Sequence, residues 1–420
     1  MVIPRDVVQN RSWRGITRTV ILVYAISCLV HGFVVLTLAK DFPACCIAGD
    51  SLEYLELANA GWSNLNRTPV YPAFLWLVRR IFGPSLGPVL WIQVFFLSLG
   101  PAFVALFASL AFPAFPRVAY ISGLLSAVSF TGIKVGHMIL TEALFAPLSV
   151  GALVALYFGA RQCKETFIVL SAVLGGLAFL VKPIFLFWWF FIPIFVFFFA
   201  GKHKPALKVV VLAMALGLAF PLGWSLLNFI KYRIFTPSWS GVATICIYWG
   251  ARTVAIAEEY RPGRHQIEDR RNRILEVYES LGTLVQRYRF FSEECPHILL
   301  ARPVAAMRAY WVSAFENLPR PLSTAELGRS PVDVSGPMNT LNLATNGLNV
   351  LLYIAAFFGA LRMIAEREGQ LLLGLLLFFG MFWLITATSY WQGSRLMYPA
   401  ESVLMLFAGL ALANKEPLSA

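Results

Sequence analysis

Charge is scarce in this chain. Only 13% of its 420 residues are Asp, Glu, Lys or Arg, about half the share that keeps a globular protein in water. Histidines number five and cysteines six, and no Cys/His spacing suits a zinc site. No Walker A segment, G-x-S-x-G elbow or G-x-G-x-x-G run occurs, so the chain has no visible nucleotide-binding machinery and any activated donor must come ready-made. No repeat of fixed period and no low-complexity tract is present, which excludes solenoids and propellers.

What fills the sequence is apolar: 58% hydrophobic residues, 15% aromatics and a mean hydropathy of +0.70. Runs long enough to cross roughly 30 Å of hydrocarbon recur, and in lipid the backbone can satisfy such runs only as helices. The expected fold class is an all-α integral membrane protein with about ten spans, at 16–38, 88–111, 118–133, 141–160, 167–181, 183–200, 209–228, 341–361, 370–388 and 396–413. The first run is too long for a signal h-region and lacks a small-residue cleavage site, so it is expected to persist as an anchor. Within 167–200, Lys182-Pro183 puts a cation before a helix breaker, as at the tip of a hairpin. A single kinked helix is the rival reading.

Charge asymmetry sets the orientation. With the N-terminus inside, Arg5, Arg11, Arg14, Arg18, Arg117, Arg161, Lys164, Lys202, Lys204, Lys208, Arg362, Arg367 and Lys415 all fall on the cytoplasmic side, as the positive-inside rule requires. Asp6, Glu165, Glu366, Glu368 and Glu416 are the acids among them. The net charge of +12 thus reports membrane orientation and gives no ground for a nucleic-acid partner.

Three regions follow. Residues 1–228 form a transmembrane module whose first outer loop, 39–87, carries Asp50 and Glu53 and then a short apolar stretch, Phe74 to Phe82, suited to the interface. Residues 229–340 form an outer loop domain of mixed charge with amphipathic helices, in which Ile274, Val277, Tyr278, Leu281, Leu284, Val285 and Tyr288 recur at helical spacing and read as an amphipathic helix. Residues 341–420 hold the last spans. Cys45, Cys46, Cys246 and Cys295 face the outer, oxidising side in this arrangement; a Cys246 to Cys295 bridge is one pairing among several.

The same topology brings Asp50, Glu53, Glu142, Lys182 and Arg395 to one face. Ionisable groups at membrane level are costly and are functional candidates by default. On a helix Asp50, Glu53 and Tyr54 share a side. A carboxylate near two cations at a lipid boundary suits transfer from a lipid phosphate: a base for the acceptor proton and positive charge for the departing phosphate. Each residue also has a plainer reading: Asp50 as a helix cap, Glu53 and Glu56 as solvated, Glu142 as a helix-start acid, Lys182 and Arg395 as snorkelling anchors, Tyr54 and Tyr71 as members of an aromatic belt.

Gly49-Asp50-Ser51-Leu52-Glu53-Tyr54, with Arg67-Thr68-Pro69-Val70-Tyr71-Pro72-Ala73-Phe74 and Ile81-Phe82-Gly83, resembles the first outer loop of GT-C glycosyltransferases, the group of protein O-mannosyltransferases and the lipid A aminoarabinose transferase. Further along, Leu140-Thr141-Glu142-Ala143-Leu144-Phe145 is similar to the family's acid at the start of the fourth span. Leu180-Val181-Lys182-Pro183 resembles its basic-Pro step, and Pro221-Leu222-Gly223-Trp224 with Asn228 the end of the span before the large loop. Ala301-Arg302-Pro303 with Tyr310 and Phe315 is similar to its late loop helix, and Gln392-Gly393-Ser394-Arg395-Leu396-Met397-Tyr398-Pro399 to its Arg-Tyr-Pro segment. Here two residues separate Arg from Tyr and the usual preceding Glu is absent.

The resemblance implies an inverting single displacement. Asp50 is then the general base, and Glu142 an acid that orients the acceptor or supports a metal. Lys182 and Arg395 receive the donor phosphate, and Glu53, Tyr54, Arg67, Tyr71 and Tyr398 contact substrate. It implies a polyprenyl-phosphate-linked sugar as donor and a lipid, glycan or protein as acceptor, worked on outside a bacterial inner membrane, with membrane lipids around the chain. Some relatives use a divalent cation and others do not, so Mg or Mn stays open as a cofactor. Two other classes share about ten spans and a large outer loop: a lipid-linked oligosaccharide polymerase or ligase, which would depend on loop arginines such as Arg302 or Arg308, and a lipid-linked sugar transporter or flippase, which would carry inverted repeats that the sequence does not display.

Overall fold

A computed structural model describes residues 13–38, 46–47, 49–62, 64–200, 204–259, 262–322, 337–389 and 393–414. All regular structure among them is helical. Eight helices are long and apolar enough to cross a membrane: α1 (Trp13–Leu38), α4 (Gly87–Ala111), α7 (Glu142–Gln162), α10 (Leu207–Tyr232), the stretch Trp239–Glu258, α16 (Pro337–Ala365), α17 (Gly369–Thr386) and α18 (Tyr398–Leu412). A ninth arises if the pair α5 (Pro116–Ala127) and α6 (Phe130–Gly136), bent by 52°, is one broken span. The ten expected spans map onto seven of these helices, that bent pair, and the shorter α8 (Glu165–Val181) and α9 (Trp188–Phe199).

Apolarity is sorted by face. On α1, Val23, Ser27, His31 and Val35 recur every fourth residue and are buried, whereas Leu29, Phe33 and Leu36 are exposed. Exposed Leu222, Leu226 and Ile230 on α10, and Leu351 and Phe358 on α16, extend the same apolar belt. In water such a belt would be a liability; against lipid it needs no partner. At the centre runs α7, buried over nearly its whole length with Glu142 at its first turn.

The 167–200 run is a hairpin. Lys182 is extended (φ −149°, ψ 116°), a 3₁₀ turn spans Pro183–Phe185, and Trp188 then donates its indole N–H to the Ser171 carbonyl at 3.2 Å. Trp188 therefore lies back beside residues 13 and 17 positions earlier, which a kinked helix would not allow. Gly175 makes the return possible, because a Cβ there would overlap the Trp188 indole. At 12 residues α9 rises only about 18 Å, short of the hydrocarbon thickness.

Before the outer loop come two short helices, α2 (Gly49–Asn59) and α3 (Val70–Phe82); the latter exposes Trp76, Leu77, Ile81 and Phe82 beside Arg79 and Arg80. The outer loop is folded more fully than its periodicity suggests. Trp239–Glu258 consists of α11 (Trp239–Thr244), a π turn (Ile245–Gly250) and α12 (Ala251–Glu258); α13 (Arg264–Ser280), α14 (Leu284–Leu300) and α15 (Pro303–Glu316) follow. Phe291 of α14 packs with Trp239 and with Leu65 of the first outer loop, so Trp239–Glu258 folds back at the same end of the bundle. The single amphipathic helix expected across 274–288 is two. Thr283 caps α14 by accepting from the Gln286 N–H at 3.2 Å, while the Gln286 amide oxygen accepts from the Thr283 N–H at 3.0 Å. This reciprocal cap breaks a periodicity that runs through Gly282 without interruption. Cys246 and Cys295 are bonded; Cys45 lies outside the described residues.

Helix α15 is fastened on both sides. Arg252 of α12, 4% exposed, makes a bidentate pair with Glu316 at 2.7 and 2.6 Å and a hydrogen bond to Ser313 at 2.9 Å. Tyr310 donates to the Leu384 carbonyl at 2.7 Å, Trp383 to that of Ala314 at 2.7 Å, and Asn317 to that of Thr386 at 2.8 Å. The loop thus grips the end of α17, just before the segment that carries Arg395.

Candidate active site

Four separate helix ends meet beside this loop. Helix α2 brings Asp50, Glu53 and Tyr54 on one side, α7 brings Glu142 in its first turn, the tip between α8 and α9 brings Lys182, and the 3₁₀ turn Gly393–Met397 brings Arg395. Ser51 holds α2 to the bundle by donating to the Ile139 carbonyl at 2.9 Å.

The ionisable groups form one unbroken chain of alternating charge. Glu53 Oε2 accepts from Arg67 Nε at 2.7 Å, and Arg67 Nη2 donates to Asp50 Oδ1 at 2.8 Å. The other Asp50 oxygen, Oδ2, accepts from Arg395 Nη2 at 3.0 Å. Arg395 Nε donates to Glu142 Oε1, which also accepts from Lys182 Nζ at 2.6 Å. Three carboxylates and three cations therefore balance. In a site shielded from water such a chain satisfies charges that would be prohibitive singly.

Exposure separates the two central acids. Asp50 keeps 36% of its side chain exposed and Glu142 only 1%, so Asp50 is open to a molecule arriving at this end of the bundle, while Glu142 is sealed behind the cations it holds. Burial, which alone raises a carboxyl's pKa, is the largest influence on Asp50; Arg67 and then Arg395 outweigh it and hold the carboxyl below its usual range. Tyr54 lies under the Arg67 guanidinium, 4.9 Å from ring centroid to Cζ, and accepts from Nη1 at 3.2 Å. Burial pushes its hydroxyl up to about 12 even with Arg67 alongside, so it is a neutral phenol.

Of the residues singled out from sequence, Asp50, Glu53, Tyr54, Arg67, Glu142, Lys182 and Arg395 are in mutual contact. Tyr71 stands one layer back. Its ring meets Tyr54 edge-on at 5.0 Å, and its hydroxyl donates to Gln93 Oε1 at 2.6 Å. Tyr398, expected to contact substrate, is placed elsewhere: it turns into the bundle, 6% exposed, among Leu97, Val135 and Ala146, where a Cβ at Gly132 would strike its hydroxyl. Opening α18 so soon after Arg395, it follows the helix inward while Arg395 stays on the preceding turn.

Several participants escaped the sequence reading. Asn64 Oδ1 accepts from the backbone N–H groups of Asn66 and Arg67, each at 2.8 Å, and Asn64 Nδ2 donates to Glu53 Oε1 at 3.1 Å. The run Asn64-Leu65-Asn66-Arg67 was a legible signal for such an Asx turn. Gln93 links Tyr71 to the Met138 carbonyl, to which it donates at 2.8 Å; a lone Gln in an apolar helix gives no sequence clue to its partner. Phe145 packs beneath Lys182, 5.7 Å from Nζ to ring centroid.

Among the described residues no group of three or more His, Cys, Asp or Glu side chains has metal-holding geometry. Asp50, Glu53 and Glu142 each face a guanidinium or ammonium group.

Residues 66–224 match the sequence model of the dolichyl-phosphate-mannose-protein mannosyltransferase family. No single curated protein matches the chain significantly in sequence. Among solved structures, the chain is similar to ArnT from Cupriavidus metallidurans bound to undecaprenyl phosphate, at 13% identity and a TM-score of 0.45, covering 93% of this chain and 59% of that one. It is also similar to the archaeal oligosaccharyltransferase AglB from Archaeoglobus fulgidus, in complex with an inhibitory peptide and a dolichol-phosphate, at 16% identity and a TM-score of 0.49, covering 93% of this chain and 50% of that one. The chain therefore spans between half and three-fifths of the length of these two proteins.

Proposed function

We propose that this chain is a GT-C glycosyltransferase that transfers a sugar from a polyprenyl-phosphate donor to a hydroxyl or amine acceptor at the non-cytoplasmic face of a membrane. The observation that carries the reading is the ion-pair chain Glu53–Arg67–Asp50–Arg395–Glu142–Lys182 at one end of a helical bundle. The sequence match over 66–224 supports a lipid-linked donor. The outer position is supported by the cationic residues at the opposite end and by the Cys246–Cys295 bond, which belongs in an oxidising compartment. A bacterial inner membrane with the site towards the periplasm fits both.

Asp50 takes the proton from the acceptor O–H or N–H as that atom bonds to the anomeric carbon from the face opposite the phosphate. The bond between anomeric carbon and phosphate oxygen breaks, its electron pair leaves on the phosphate, and configuration inverts. Lys182 and Arg395 receive that charge: among the described residues Arg395 commits Nε and Nη2 to carboxylates and Lys182 one ammonium proton, which leaves further donors on each for phosphate oxygens. Glu142, sealed from solvent, acts as a positioning residue that holds the two cations together. A phosphate that draws Arg395 towards itself leaves Asp50 beside one guanidinium in place of two, and a less stabilised carboxylate is a stronger base.

The test is single-turnover transfer in nanodiscs, with donor and acceptor identified by mass spectrometry of lipids, glycans and glycoproteins from a deletion strain. Asp50→Asn should fold and insert normally and lose roughly 100- to 10,000-fold in rate. Retention of more than about a tenth of the rate removes Asp50 as the base. Dependence on Arg302 or Arg308 with Asp50 dispensable points instead to an oligosaccharide polymerase or ligase.

A further inference from the structure

Arg67 reaches Asp50 from a turn that is tied down on two sides. On one side the Asn64 and Asn66 amides donate to Glu53 Oε1 at 3.1 and 3.4 Å. On the other lies Leu65, the one apolar residue of that turn. Its side chain leaves the transmembrane bundle and is 3% exposed within the small core of the outer loop, among Ile234, Trp239, Cys246, Phe291 and Cys295. Those partners are more than 160 positions away in sequence. Two of them, Cys246 and Cys295, form the disulfide that joins the π turn to α14. Backbone N–H groups on both residues after Leu65 donate to Asn64 Oδ1, so the turn moves as a unit. The Arg67 backbone cannot move away from Asp50 without pulling Leu65 out of that core or breaking the Asx turn.

We propose that Leu65 is a positioning residue: seated in the disulfide-stapled core of the outer loop, it fixes the turn that aims Arg67 at Asp50, and so transmits the state of the Cys246–Cys295 bond to the ionisable site. This rests on the reading of Asp50 as the base only for its catalytic meaning; the mechanical link stands on contacts alone. Asp50 faces Glu53 and Tyr54 from its own helix, Arg67 from the turn, Arg395 from the segment before α18, Glu142 from α7 and Lys182 from the hairpin tip. Of these, only Arg67 rides on the segment that Leu65 anchors. Loss of the anchor should therefore withdraw one positive charge and leave the others in place.

The full chain in nanodiscs is treated with dicyclohexylcarbodiimide, which reacts with protonated carboxyls, and Asp50 labelling is followed by peptide mass spectrometry across pH. Leu65→Ala should raise the pH of half-labelling by about one pH unit, the low end of what losing an adjacent guanidinium does to an Asp. Leu65→Met, of similar volume, should stay near wild type. Arg67→Ala sets the full displacement. Wild-type protein whose disulfide is opened by an impermeant phosphine should move the same way as Leu65→Ala. A midpoint unchanged in folded Leu65→Ala overturns the proposal; should that variant fail to fold, an unchanged midpoint in the reduced wild type does so. Deuterium exchange at residues 64–67 is read in parallel. If Arg67→Ala itself leaves the midpoint in place, the electrostatic picture of Asp50 fails, and exchange decides the link: faster exchange in Leu65→Ala supports it and unchanged exchange overturns it.

Discussion

Asp50 has two guanidinium neighbours and partial exposure, and this combination predicts its pH behaviour. Its carboxyl lies below the usual range when folded, so it is ionised throughout the neutral and mildly acidic range. The sign follows: the stability its ion pairs contribute is fully present above the unfolded-chain value of about 3.9 and is lost as pH falls through the lower folded value. Activity that needs the carboxylate should likewise have its acidic limb below pH 4. Arg67→Ala should move that limb upward, measured as kcat/KM against pH, and a limb that stays in place would separate Arg67 from the base. The cations give a second expectation. If Lys182 and Arg395 receive the donor phosphate as proposed, Lys182→Ala and Arg395→Ala each remove a charge-assisted contact to it, worth roughly 1.5 to 3 kcal/mol. Affinity for a polyprenyl phosphate such as undecaprenyl phosphate should fall by about tenfold or more in each variant, as read by titration in nanodiscs. Equal affinity in both would make them membrane anchors alone.

At the level of elements, the α8–α9 hairpin decides whether Lys182 belongs to the site. Its reversal depends on the fit of the Trp188 indole against Gly175 and on the hydrogen bond to Ser171. Any side chain at Gly175 displaces that ring, which also stacks on Phe185 at 4.8 Å. Phe185 in turn meets Phe145, the ring beneath Lys182, at 5.9 Å. Overpacking of this kind typically costs about 1 to 3 kcal/mol. Gly175→Val should therefore lower the apparent unfolding temperature in detergent and weaken polyprenyl-phosphate binding through Lys182. A variant as stable as wild type, with unaltered binding, would show that the indole lies elsewhere.

Across the whole molecule the site end and the opposite end differ in charge and chemistry. Arg362, which stacks on Phe115 at 4.3 Å and donates to the Leu410 carbonyl at 2.7 Å, closes the end away from the ion-pair chain. The orientation is read by single cysteines in a chain that keeps only Cys246 and Cys295. Exposed Ser280 on α13 and exposed Thr166 at the start of α8 lie at opposite ends. Ser280→Cys should react with an impermeant thiol reagent in intact cells, and Thr166→Cys only after permeabilisation. Reaction of Thr166→Cys from outside would invert the assignment and place the site in the cytoplasm.

Composition alone determined that this chain lives in lipid, because 58% hydrophobic residues in long runs leave the backbone no satisfactory state but helix. Position along the runs determined which polar residues share an end, since every crossing reverses direction: Asp50, Glu142, Lys182 and Arg395 could be grouped by counting spans. Contact was another matter. That Glu142 is sealed, that Arg395 bridges it to Asp50, and that Tyr398 turns away depend on side-chain direction at helix ends, which pattern does not encode. The break within 274–288 is hidden for a related reason: Gly282-Thr283 interrupts an apolar period that continues in register on the next helix, and the local cap prevails over the pattern. Leu65 was invisible altogether. One leucine in a polar turn gains its meaning from a core assembled by residues 234–295, and only tertiary structure brings such distant segments together.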